Sequence, residues 1–213
     1  GIRDHCVTGV QTCALPIYYE TYKRDGANVD KLLVCPNGAQ HRDYHFTEKP
    51  LKPSWTLYLG RIEPRKRQYL YQDIYGVEFV GKYTDTTSFD RNRDCYLGQW
   101  EHEYKLQHVT DYGNMMLLSD GENGTPLVIK EALVAGLGVV VSKYAAHDLD
   151  TSLPFVTVIP DDKWEDIEYV QEKLIENRKI SVTMRKEIRQ YGVDNFSWQK
   201  LVKTYVENIE GME

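Results

Sequence analysis

The sequence predicts an α/β fold: a Rossmann-like parallel sheet with helices on both faces, followed by C-terminal helices. Three observations carry this expectation. Between about residues 30 and 160, short apolar runs of strand length alternate with segments of helical period. Strand ends run into turns rich in Gly, Asn and Pro, as at Gly60 and from Gly121 to Pro126. After Pro160 the pattern becomes helical throughout.

At 213 residues and 41% hydrophobic, the chain can bury one sizeable core. Its formal net charge of -6 gives no broad attraction for nucleic acid or an anionic membrane, so an anionic ligand must meet a local site. No apolar run approaches the roughly 20 residues of a membrane span. The four cysteines, at 6, 13, 35 and 95, include no CxxC pair and no zinc-like spacing with His, so neither a metal site nor a disulfide is expected.

Taken in order, residues 1–17 show neither helical nor strand period and no signal-peptide pattern. The stretch Val7 to Ile17, VTGVQTCALPI, resembles the conceptual translation of a sequencing-library adapter, and 1–17 are expected to stand outside the fold as an artefact or a disordered tail. Strands are expected at Leu32 to Cys35, Thr56 to Leu59, Val77 to Val80, Met115 to Ser119, Val139 to Ser142 and Phe155 to Ile159. Helices are expected at about 66–75, 102–112 and 126–136, then at 166–178, 182–190 and 198–209. Thr84 to Asp94 is polar and aperiodic, which predicts a surface loop.

The segment SDGENGTPLVIKEALVAGLGVVVS, 119–142, reads as strand end, turn and helix, with Pro126 suited to the first helical position and Gly136 to the stop. Such a turn leaves amides near Gly124, Thr125 and Leu127 at a helix N-terminus, where a phosphate or carboxylate is favoured. Glu131 projects from the stripe that carries Leu127 and Ala135, so its carboxylate needs partners. Ligand hydroxyls would serve, and equally a structural Arg or backbone amide.

The segment LYLGRIEPRKRQYLYQDI, 57–74, crowds Arg61, Arg65, Lys66 and Arg67 into the turn after a strand. Arg and Lys there suit a diphosphate, the guanidinium through paired hydrogen bonds and the ammonium as a mobile point charge. A solvated basic cluster is the plain alternative.

Five segments in order, VCPNG at 34–38, LYLGRIEPRK at 57–66, FVG at 79–81, LGQWEHEYKL at 97–106 and SDGENGTPLVIKEALVAG at 119–136, resemble the carboxyl-terminal domain of retaining GT-B glycosyltransferases. The resemblance implies that Arg61 and Lys66 bind the donor diphosphate and that Glu131 grips the ribose hydroxyls. The family's second glutamate, near the transferred sugar, falls on Asn123, one residue from Glu122; either could take that place, and Glu122 is preferred. Arg67 stands where the family has Gly. His102, beside Glu101 and Glu103, is expected to be solvated, and Trp100 is open between a nucleobase border and a core or rim aromatic.

On the same resemblance, 18–38 end a missing amino-terminal domain and its hinge at PNG, and 39–210 form the donor-binding domain. The final helix, 198–209, would cross back toward the missing domain. The implied substrate is a nucleoside-diphosphate sugar with no cofactor and no metal. The acceptor, whether glycan, lipid or small molecule, is unspecified, and no nucleic acid is expected. The implied location is the cytoplasm, with peripheral membrane attachment through the missing domain as an alternative. The competing readings are a non-catalytic nucleotide-sugar-binding module and, less favoured, a GT-B-type sugar epimerase.

Overall fold

The computed structural model describes residues 12–14, 21–28, 32–34, 36–85, 88–122 and 124–210. Two short strands, β1 (Thr12–Ala14) and β2 (Leu32–Val34), pair in parallel as a small separate sheet. The main sheet holds β3 (Lys52–Leu59), β4 (Val77–Val80), β5 (Tyr112–Leu117), β6 (Gly138–Ser142) and β7 (Val156–Ile159), all parallel, in the order β4-β3-β5-β6-β7. A short helical stretch at 21–24 precedes the main sheet, and helices α1 (His102–His108), α2 (Leu127–Val134), α3 (Ile167–Thr183), α4 (Arg185–Phe196) and α5 (Trp198–Glu210) pack with it or follow it. The Rossmann-like α/β architecture expected from the sequence is the one observed. Of residues 1–17, only Thr12–Ala14 are described, as β1; Cys35 lies outside the described residues.

Every residue of β4, β5 and β6 is buried, as befits strands covered on both faces. The first half of β3, Lys52 to Trp55, is exposed or half-buried and includes Pro53, so its four extra residues form no apolar run. Polar groups inside the sheet are linked in a chain. Thr56 Oγ1 donates to Asn114 Oδ1 at 2.6 Å, and Asn114 Nδ2 donates to Asn177 Oδ1 at 2.9 Å. Asn177 Nδ2 in turn reaches the Val139 and Phe155 carbonyls. These bonds anchor α3 to β3, β5 and β6 while satisfying buried amides. At the start of α4, the buried Arg185 guanidinium donates to the carbonyls of Thr47, Thr110 and Tyr112; burial pushes its pKa down to about 10.

Two expectations are corrected. Instead of a helix over 66–75, there are two 3-10 turns, Pro64–Lys66 and Gln68–Tyr71, separated by Arg67 at φ 56. A left-handed residue cannot continue an α-helix, so the segment breaks there. The Thr84 to Asp94 loop is more than surface: Phe89 is buried, edge-on to Phe79 at 5.4 Å and to Tyr96 at 5.5 Å. Gln72 further pins the loop by exchanging two hydrogen bonds with the Asp90 backbone.

The chain runs from β3 to β4 on one side and then crosses back to β5 on the other. Connections therefore leave the carboxyl ends of β3 and β5 in opposite directions, the topology at which an open parallel sheet places its ligand crevice.

Candidate functional site

Two loops meet over that crevice. The first follows β3. Gly60 N–H donates to the Val80 carbonyl at 2.9 Å, and a Cβ on Gly81 would overlap the Gly60 carbonyl, so only glycine allows β3 and β4 to end this close together. The methylenes of Lys66 lie over Gly60, with Cδ 3.4 Å from where a Cβ would stand. The second loop follows β5 and runs through Asp120, Gly121 and Glu122 to Gly124.

One buried hydroxyl joins the loops: Tyr58 Oη donates to the Lys66 carbonyl and accepts from Leu118 N–H at 3.1 Å. Burial raises its pKa well above the ordinary phenol value, which keeps it a donor. Asp120 N–H also donates to the Arg65 carbonyl at 2.9 Å.

Charge then crosses from loop to loop. Lys66 Nζ donates to Glu122 Oε1 at 2.6 Å, both side chains being 12% exposed. Arg65 reaches Glu122 at 3.7 Å and Glu63 at 3.2 Å, Arg67 reaches Asp120 at 3.4 Å, and the exposed Arg61 reaches Glu63 at 3.5 Å. Burial by itself would raise the Glu122 carboxyl. The Lys66 ammonium, the Ser119 hydroxyl and the Arg65 guanidinium outweigh it and hold the carboxyl below its ordinary value. Ser119 Oγ is itself buried and meets no partner at full hydrogen-bond geometry.

Beyond Glu122 the chain enters α2. Pro126 is the N-cap, one residue before the expected position, because its ψ of 146 is extended. No side chain caps the helix; Ile129 N–H donates to the Pro126 carbonyl at 3.0 Å, which leaves the Leu127 and Val128 amides for another acceptor. Gly124 has φ 93, a conformation that favours glycine, and Leu127 is exposed at the entrance. Thr125 is buried, and its Oγ1 accepts from Asp148 N–H at 2.9 Å, so its hydroxyl holds the loop in place. Asn123 lies outside the described residues.

Glu131 sits one turn into α2, almost fully buried. Its Oε1 accepts from Lys105 Nζ at 2.8 Å, while Oε2 is buried and meets no partner at full hydrogen-bond geometry, with the Tyr44 hydroxyl close enough to be raised by a hydrogen bond to this carboxylate. Tyr44 lies beside it. Burial first, then the Glu131 charge, raises the Tyr44 hydroxyl far above the phenol range, and its Oη also lacks a partner at full hydrogen-bond geometry. Of the two readings left open by the sequence, the structural one is observed, with a lysine in place of the expected Arg or amide.

The structure thus brings Arg61, Lys66, Glu122, Gly124 and Leu127 to one carboxyl edge, with Thr125 bracing it and Glu131 behind. It separates Trp100 from them. Trp100 packs edge-on to Tyr104 at 5.1 Å and lines a cleft of about 500 Å³ with Lys52 and Tyr112, at the starts of β3 and β5. His102 is exposed at the start of α1, as expected. No group of His, Cys, Asp and Glu among the described residues could hold a metal ion, and none of their helices is long and apolar enough to cross a membrane.

Sequence reasoning missed Tyr58, Lys105 and Lys130. Lys130 is buried and donates to the Asn37 carbonyl and to Asp148 Oδ2, both at 3.0 Å. Adjacent charges, Lys130 and Glu131, in an otherwise apolar helix were the signal that could have found it.

No family model matches the chain, and no curated protein matches it in sequence. Solved structures match it in fold. Alr3699/HepE of Anabaena in complex with UDP-glucose matches with a TM-score of 0.67 at 14% identity, over 93% of this chain and 63% of that one. Sucrose-phosphate synthase from Thermosynechococcus elongatus gives 0.67 at 16% identity, over 94% and 57%. The lipopolysaccharide outer core galactosyltransferase WaaB, in its apo form, gives 0.64 at 15%, over 92% and 60%. The chain spans less than two thirds of each of these proteins, and at such identities the likeness establishes the fold.

Proposed function

We propose that this chain is the nucleotide-sugar-binding part of a glycosyltransferase, the carboxyl-terminal half of a GT-B fold, acting with retention at the anomeric carbon. The observation that carries the reading is the meeting of Lys66 and Glu122, with Arg61 alongside, over the crevice between β3 and β5. One of the fold's solved relatives supports it by its contents: HepE is described in complex with UDP-glucose and with UDP. Retention rests on the motif resemblance alone.

The residues divide the work by chemistry. Arg61 makes only an exposed contact with Glu63, worth little in water, so its guanidinium is available for paired hydrogen bonds to phosphate. Lys66 supplies a positive charge in a less solvated position. The uncapped amides of α2 add a partial positive charge from the adjoining side. Together they stabilise the charge that grows on the departing diphosphate, which is an electrostatic contribution to catalysis. The Glu131 carboxylate, whose Oε2 meets no partner at full hydrogen-bond geometry, accepts from ribose hydroxyls, and Glu122 lies toward the transferred sugar. The acceptor, whether glycan, lipid or small molecule, would be bound by protein beyond this chain.

Calorimetric titration of the purified chain with UDP, GDP and their common sugar conjugates tests the reading. One-to-one binding of at least one is expected; no binding of any would contradict it.

A further inference from the structure

The salt bridge between Lys66 and Glu122 occupies the position that the proposed diphosphate requires. Resting on that reading of Lys66, we propose that Glu122 is exchanged for the diphosphate, holding Lys66 while the site is empty and selecting against a bare diphosphate when it is filled. At 2.6 Å and 12% exposure on both sides, the pair leaves no room for phosphate oxygens on the ammonium face that Glu122 covers. Arg65, 3.7 Å from the same carboxylate, would lose that contact and keep the one with Glu63 at 3.2 Å.

The loop is built for such a movement. Gly121 at φ 68 and Gly124 at φ 93 flank Glu122, and a Cβ on Gly121 would meet nothing within 4 Å. Residues before and after the glycines are held: Ser119 carbonyl accepts from Ser142 Oγ at 2.7 Å, and Thr125 is braced by Asp148. Arg65 Nη1 also donates to the Asp120 and Gly121 carbonyls at 3.4 and 3.2 Å, so the exchange is a swing of the Glu122 side chain from a loop held on either side.

Selectivity follows from where the displaced carboxylate goes. Beside a bare diphosphate it is a like charge with nothing to accept from, which weakens binding. Beside a nucleotide sugar it can accept from sugar hydroxyls, which offsets the lost contact with Lys66. Glu122 thereby favours donor over spent nucleotide.

The test is a double-mutant cycle on the full chain, with UDP and GDP as probes and thermal melting to verify folding. Glu122→Gln should tighten binding of whichever diphosphate the wild type takes by about tenfold, and the gain should vanish when Lys66→Met is already present. Glu122→Ala provides the same readout should the glutamine variant fail to fold. Unchanged or weaker binding in the Glu122 variants, or a gain that persists without Lys66, would overturn the exchange while leaving the diphosphate site in place. Failure of the wild type to bind either diphosphate would sink the proposed function itself, and the exchange with it.

Discussion

At the scale of single residues, the two glutamates do different things. Glu122 is held ionised by the Lys66 ammonium, Ser119 and Arg65 against the opposing effect of burial, so its folded pKa lies below the unfolded value. Its contribution to stability is therefore present above the ordinary carboxylate range and lost as pH falls through the folded pKa. Glu122→Gln should flatten that part of an acid denaturation curve; superimposable acid limbs would show that the pair adds nothing. Glu131 calls for a conservative change. Removing it outright would leave Lys105 facing an unfilled space, a loss of stability unrelated to ligand. Glu131→Gln keeps the volume and one acceptor, and should weaken nucleoside diphosphate binding by about 1.5 kcal/mol, the low end for hydrogen bonds to a charged group. An unchanged affinity in titration would make Glu131 purely structural. The sequence marked Glu131 because a carboxylate on an apolar helix stripe needs partners. It could not say that Lys105 was one of them, because that contact joins residues 26 positions apart through tertiary packing.

At the scale of elements, the sheet was legible because strands buried on both faces carry apolar runs, as at Val139 to Val141, and at Val77 to Val80 the expected and observed limits coincide. Legibility failed where conformation rather than hydrophobicity decides. Arg67 is the only non-glycine residue at positive φ among those described, and it stands where the resembled family has Gly. Its left-handed conformation is offset by the Trp164 ring, 4.0 Å from the guanidinium carbon, and by Asp120. Arg67→Ala loses these contacts and keeps the strain, whereas Arg67→Gly loses the contacts and the strain together. Thermal melts should therefore find the glycine variant more stable than the alanine variant by about 1 kcal/mol. Equal stability would mean that the backbone there is unstrained. Phe89 was misread for a similar reason: one aromatic in a polar stretch has no period, and only the Phe79 and Tyr96 rings reveal that it faces inward.

At the scale of the whole molecule, the C-terminal helices return to the segment before the main sheet. Ala39 N–H donates to the Phe196 carbonyl at 2.7 Å, Trp198 N–H to the Ala39 carbonyl at 3.1 Å, and Tyr205 Oη to the Pro36 carbonyl. A Cβ on Gly38 would lie 2.8 Å from Leu201 Cδ1, so the PNG sequence is matched to the helix that covers it. Lys130 then joins Asn37 to Asp148 and, through Thr125, to the loop over the crevice. The site is thus braced from behind by one connected set of contacts, and the chain should fold by itself around its single core. On the proposed function, a chain that spans less than two thirds of its structural neighbours should transfer no sugar by itself, because transfer needs an acceptor positioned against the donor. Incubation with nucleotide sugars and candidate acceptors checks this; glycosylated product above background would refute it.

The central claim, that the carboxyl edge between β3 and β5 binds a diphosphate, is tested most directly by comparing two ligands across three proteins. Titrating UDP and uridine, or GDP and guanosine, into the wild type, Arg61→Ala and Lys66→Ala separates phosphate contact from everything else. The account predicts that each substitution weakens diphosphate binding by about tenfold or more while leaving nucleoside binding nearly unchanged. Equal losses for both ligands would contradict it, because the cations would then be acting through the fold or through general charge.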